Sequence, residues 1–182
     1  MKKGKLPNIM PVSMNCKREK IISTLRKFLQ QDRIWAGKLA TETCERFTLH
    51  LAIFREPYLS FIMEGKKKVE TRFAKRRCPP FEGVADGDVL LLKKAGGEIV
   101  GICEVEKVWF CHLDPNSLEF IKNRFGHLIC PVDGSFWVDR ESKSVATLML
   151  IKNVVQVEGL RIEKRDRRGW VTIQSDRQKV LL

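Results

Sequence analysis

Residues 65–72 read Gly-Lys-Lys-Lys-Val-Glu-Thr-Arg, and few folded arrangements accommodate such an octapeptide. The glycine ends whatever element precedes it. Glu70 and Arg72 stand two residues apart, so in a strand they share one face. A buried or half-buried carboxylate beside an arginine and three lysines is costly unless it is paired or used. A concave basic site that holds one carboxylate suits a phosphate-bearing ligand, whether bound or turned over.

The rest of the chain supplies a frame for that segment. Apolar residues Ile21, Ile22, Leu25, Phe28, Leu29, Trp35 and Leu39 recur at mixed three and four spacing, which predicts one or two helices over 17–47, broken near Gly37. Partial alternation predicts a strand over 48–54. Pro57 fits the first turn of a short helix over 58–63, and Gly65 suits its stop. Strands are expected over 68–73, 88–94 and 98–110, the last two joined across Ala95-Gly96-Gly97 as a hairpin. A helix over 117–125, capped by Asn116 or Asp114, precedes a long strand over 144–157 and a last strand near 169–173. Strands with short helices at one end and a central hairpin predict an α+β protein built on a small mixed β-barrel. Residues 1–15 read as a tail.

Charge narrows the class of ligand. The formal net charge is +12, and it is segregated. Residues 1–20 carry net +5, residues 66–77 net +6 and residues 161–168 net +3, which leaves the remainder at net −2. Segregated basicity is expected of a surface that meets a polyanion. No basic stretch has a clear apolar face for a membrane, and apolar runs fall far short of the about 20 residues that a span needs. Met1-Lys2-Lys3 is followed by no apolar stretch, so no secretory signal is expected. The six cysteines contain no Cys-x-x-Cys pair, which predicts reduced thiols in a cytoplasmic protein. Cys111-His112 with His127 and Cys130 has a spacing that zinc could use, but buried thiols and surface histidines are the favoured reading, and no metal or cofactor is expected.

With residues 51–64 before it, the octapeptide resembles the opening of an ASCH domain, a family of the PUA-like superfamily. The family signature is a strand, a Pro-Tyr helix start and then Gly-x-Lys-x-x-Glu-x-Arg; Gly65, Lys67, Glu70 and Arg72 fill its positions. Gly87-Asp88-Val89-Leu90-Leu91 is similar to the family's Gly-Asp strand entry. Gly169-Trp170 is similar to a frequent family ending. The resemblance spans about residues 48–174. It implies a PUA-like barrel over 48–174, with 1–47 a basic tail and helical extension and 175–182 a C-terminal tail. It also implies an RNA-binding module of RNA metabolism or of transcription or translation regulation. Some small bacterial relatives in the superfamily are amidohydrolases that release acetate from acetylcytidine; they carry a nucleophilic Thr where this chain has Glu70, and their lysine matches Lys67.

Two readings of one pocket follow. In the first, a basic cleft binds RNA, single-stranded or structured, through Arg55, Lys66, Lys67, Lys68, Arg72, Lys75, Arg76 and Arg168, with Tyr58 and Trp170 facing bases. Trp109 is a further aromatic candidate that fits the core as well, and Trp170 could equally anchor the basic loop before it. In the second, Lys67 and Glu70 are catalytic, and the chain is a ribonuclease or a hydrolase of a modified nucleoside. Alternatively Glu70 and Arg72 brace the barrel mouth as an ion pair. Lys67 is expected to matter for the ligand more than Lys66 does, with little effect on stability. Residues 17–47 could meet a protein partner, and a chain beginning near Thr48 is expected to fold. A closed, nucleoside-sized cavity would favour chemistry, and an open basic groove would favour polymer binding.

Overall fold

The computed structural model of the chain describes residues 18–40, 43, 46–162 and 168–173. The tails expected over 1–15 and 175–182, and residues 163–167 of the third basic run, lie outside the described residues. Two helices come first, α1 (Arg18–Phe28) and α2 (Arg33–Lys38). They part over residues 29–32, not near Gly37, which lies inside α2. Asp32 makes the break: its backbone is extended, and its carboxylate accepts from the Ile34 and Trp35 amides, both at 3.0 Å. A glycine in the interior of a short helix costs only about 1 kcal/mol, so Gly37 does not stop it.

The remaining elements are β1 (Leu49–Phe54), α3 (Tyr58–Met63), β2 (Val69–Ala74), β3 (Val89–Lys94), β4 (Ile99–His112), α4 (Pro115–Ile129), α5 (Ser135–Glu141), β5 (Val145–Leu160) and β6 (Trp170–Ile173). The strands form one six-stranded sheet in the order β2-β5-β4-β3-β1-β6, curled into a half-barrel. β1 runs parallel to β3, and every other pair is antiparallel. The parallel pair is possible because α3 and β2 occupy the crossover between its strands. Asp114, rather than Asn116, caps α4 by accepting from the Ser117 amide at 2.7 Å, while the Ser117 hydroxyl accepts from the Asp114 amide at 2.8 Å. The α5 segment does not appear in the strand-and-helix pattern expected above.

Three apolar clusters hold the sheet. On one face Ile21, Ile22, Leu25, Leu29, Trp35 and Leu39 of the N-terminal helices pack on Leu49, Leu51, Val89, Leu91, Ile99 and Ile102. The Trp35 indole donates to the Asn153 carbonyl at 3.0 Å, and Lys38 pairs with Glu104 at 2.9 Å. The helices that 17–47 were expected to contain are thus part of the sheet's own core, and their apolar stripe is turned inward. A second cluster sits inside the curl, with Leu59 and Ile62 of α3 and Trp170. The third lies under α4 and α5.

One buried polar network joins the strands. His50 is fully buried, with Nε2 3.0 Å from Asp88 Oδ2 and Nδ1 3.3 Å from Thr172 Oγ1. Asp88 also accepts from the Thr48 amide at 2.7 Å and the Ala85 amide at 2.8 Å. Burial pushes the Asp88 carboxyl pKa up, but the hydrogen bonds from His50, Thr48 and Ala85 outweigh it and hold the group below its ordinary value. The Gly-Asp strand entry is therefore a structural corner that pins β1, β3 and β6 together.

Candidate nucleic-acid interface

The curl leaves a seam. β2 is one edge of the sheet, β6 is the other, and a cleft of about 1430 Å³ opens beside the seam. Its walls are the β1–α3 turn, the face of β2, the β3–β4 turn, α5 and the Arg168-Gly169 entry to β6. Eight of its lining side chains are basic and two are acidic.

The floor is the octapeptide. Gly65 adopts φ +73 and closes α3 with a bond from its amide to the Ile62 carbonyl at 3.0 Å. That left-handed conformation is inexpensive only for glycine. The chain then doubles back, and the Lys67 amide bonds to the Phe61 carbonyl at 2.9 Å. This turn drives Lys67 inward, where it is 3% exposed, while Lys66 and Lys68 face solvent. The Lys67 ammonium has three donors, and three acceptors surround it. They are the carbonyls of Val69 and Ile129, both at 2.9 Å, and Glu70 Oε2 at 3.5 Å. Burial pulls its pKa below the ordinary lysine value, against the opposing field of Glu70.

Glu70 is 4% exposed and sits between two cations. Its other oxygen lies 2.8 Å from Arg72 Nε, an ion pair. Arg72 in turn spans the seam: Nη2 donates to the Ile53 carbonyl at 3.0 Å and Nη1 to the Gly169 carbonyl at 3.3 Å. The guanidinium lies between the rings of Phe54, at 5.0 Å, and Trp170, at 5.7 Å. A Cβ on Gly169 would come within 3.2 Å of Arg72 Nη1, so the glycine keeps the approach open. Arg72 therefore clasps the edge strand β2 to the far end of the sheet.

The second wall is aromatic. Tyr58 is half-buried between the Lys67 ammonium, 5.5 Å from its ring, and Phe136, 6.1 Å between centroids. Phe73 meets Phe136 edge-on at 6.3 Å. Arg140 completes the row, with its guanidinium carbon 3.7 Å from the Phe136 ring centre.

Of the residues singled out from sequence, Arg55, Tyr58, Lys67, Glu70, Arg72, Lys75 and Arg168 line this one cleft. Arg55, Lys75 and Arg168 are exposed on its rim. Lys66, Lys68 and Arg76 do not line it; Lys66 turns to Glu64 at 2.6 Å and over the Phe61 ring. Trp170 is 4% exposed, beneath Arg72 and beside His50 at 5.2 Å, which is the anchor geometry and not a base-facing one. Trp109 packs on Phe125 at 5.1 Å in the cluster under α4 and α5. Sequence reasoning missed Lys93, Phe136, Arg140 and Lys143. A usable signal existed for one pair: Phe136 and Arg140 stand four apart, the spacing that brings an aromatic and a cation together on a helix.

Among the described residues no three His, Cys, Asp or Glu side chains gather in a metal-binding set. His112 accepts from Arg77 at 3.1 Å, and Cys111 packs against the α4–α5 cluster. No helix among the described residues is long and apolar enough to cross a membrane.

Comparison with known proteins agrees with this architecture. The family model described as the ASCH domain matches residues 53–170. The fold is similar to a crystal structure of ASCH from Zymomonas mobilis, at 14% identity and a TM-score of 0.55, covering 73% of this chain and 92% of that one. A serine-to-alanine mutant of the same Zymomonas mobilis protein gives 14% identity and a TM-score of 0.56, covering 73% of this chain and 93% of that one. A tyrosine-to-phenylalanine mutant gives 14% identity and a TM-score of 0.55, covering 73% and 95%. No curated protein matches the chain.

Proposed function

This chain belongs to the ASCH domain family, and on that premise we propose that it binds RNA along the cleft beside β2, with phosphates met by the cationic rim and a base held at the aromatic wall. The observation that carries the reading is the lining itself, eight basic side chains against two acidic ones in one open cleft. Small-molecule pockets usually enclose about 300–1,000 Å³. A cleft of about 1430 Å³ is larger than a nucleoside needs and suits a stretch of polymer.

The internal chemistry of the floor supports binding over turnover. A catalytic lysine needs a donor or a lone pair directed at the substrate, and the three Lys67 donors face acceptors that the fold itself supplies. Glu70 is held between Lys67 and Arg72, and no hydroxyl occupies its position. The purified chain is accordingly expected to release no acetate from acetylcytidine.

The reading is tested by fluorescence anisotropy with a labelled single-stranded RNA across a salt series. Each phosphate neutralised contributes a slope of about −0.7 in log affinity against log salt. Contacts from three or more rim and wall cations predict a slope of about −2 or steeper. A flat response, or no binding at low salt, sinks the proposal.

A further inference from the structure

We infer that Arg140 is a base-stacking platform, so that the cleft selects single-stranded segments through a guanidinium plane and not through charge alone. The inference rests on the RNA reading above and assigns one position of that site. Four observations carry it. The Arg140 carbon sits 3.7 Å from the centre of the Phe136 ring, close enough for one face of the guanidinium to rest on the aromatic face. Its Nη1 donates to the Phe136 carbonyl at 2.8 Å, which ties the group to the helix backbone beside that ring. Phe136 is itself buried and wedged among Tyr58, Phe73 and Trp137, so the support cannot swing away. The Arg140 side chain keeps 25% of its exposure and lines the cleft.

A guanidinium held this way behaves unlike a solvated cation. One face is spent on Phe136, and the in-plane donors are partly committed to the helix. The acidic neighbour, Asp139, lies 3.6 Å from Nη1 and is itself largely exposed. The Phe73 ring lies 5.8 Å from the guanidinium carbon, and on this proposal the face turned away from Phe136 is what the cleft meets. That face matches an unstacked base, because stacking on arginine planes is a common way for proteins to hold single-stranded RNA. It also excludes a duplex, whose bases offer no free face. Tyr58 lies on the same wall, 6.1 Å from Phe136 between ring centroids.

Arginine and lysine are not equivalent for this role, and the test uses that difference. Affinities of the full chain are measured for two labelled RNA oligomers of equal length, one of adenosines and one with the bases removed at every internal position. The wild type is expected to prefer the adenosine oligomer by roughly tenfold. Arg140→Lys keeps the charge but not the plane; it should erase most of that preference while leaving the salt slope unchanged. Arg140→Gln should lose the preference and lower the slope by about 0.7. Thermal unfolding midpoints of both variants establish that the fold is intact. As a second readout, 2-aminopurine placed in the oligomer should be quenched by wild type and not by Arg140→Lys. If Arg140→Lys keeps the base preference and the quenching, Arg140 meets phosphate only and the inference fails while the RNA reading stands. If the wild type binds neither oligomer, both fail.

Discussion

Lys67 is the residue where burial changes the expected role most. From sequence it looks like a ligand-facing or catalytic lysine whose loss would leave stability untouched. In the fold it ties the turn after α3 to the end of α4 through the Val69 and Ile129 carbonyls, and it balances Glu70. Removing one partner of a buried ion pair costs about 3–5 kcal/mol, because the remaining charge and acceptors stay buried without compensation. Lys67→Ala should therefore lower the unfolding free energy in denaturant titration by an amount in that range, whereas Lys66→Ala, which faces solvent, should change it by less than about 0.5 kcal/mol. Equal small losses from both would show that Lys67 does not hold the turn. The inward direction of Lys67 was not legible from a period of two, which would set it on the face opposite Glu70 and Arg72; the turn before β2 places it beside Glu70 instead. Its partners were not legible, because one of them, Ile129, lies far along the chain.

Elements with strong punctuation were the readable ones. Pro57 and Gly65 bound α3 at the residues expected, and the two glycines of the β3–β4 turn mark that hairpin. α5 escaped because it is short and has no side-chain cap on Gly134, so nothing local announces it. That omission removed Phe136, Arg140 and Lys143 from the expected site. The N-terminal helices were read as an extension, because helical periodicity says which face is apolar but not what covers it. Here they cover Leu49, Leu51, Val89, Leu91, Ile99 and Ile102, each at most 1% exposed. Exposing a large aliphatic side chain fully costs about 1.5–3 kcal/mol, and a domain's net stability is only about 5–15 kcal/mol. A chain beginning at Thr48 is thus expected to lose its cooperative thermal transition and bind a hydrophobic dye. A sharp transition in that shortened chain would show that the sheet face tolerates the loss.

On the scale of the whole molecule, the curled sheet explains why the site lies where it does. An open curl has two edges, and unpaired edges are costly and prone to recruit other chains. Arg72 ties one edge to the other end of the sheet, and α5 flanks the same seam. The cations that gather there come from the β1–α3 turn, from β2 and its flanks, from β3, from α5 and the residues just after it, and from the entry to β6, so the cleft is an assembly property that charge counting along the chain detects only in part. The segregated charge over 66–77 overlaps the cleft at Lys67, Arg72 and Lys75, yet Lys66, Lys68 and Arg76 do not line it, while Lys93, Arg140 and Lys143 do. The most direct measurement of the central claim is a photo-crosslink between the full chain and a 4-thiouridine RNA, with the attached peptides identified by mass spectrometry. The account predicts crosslinks on the segments around Tyr58, Phe136 to Lys143 and Arg168, which converge on the cleft from distant parts of the sequence. Crosslinks confined to the α1 and α2 surface, with none in the cleft, would contradict it.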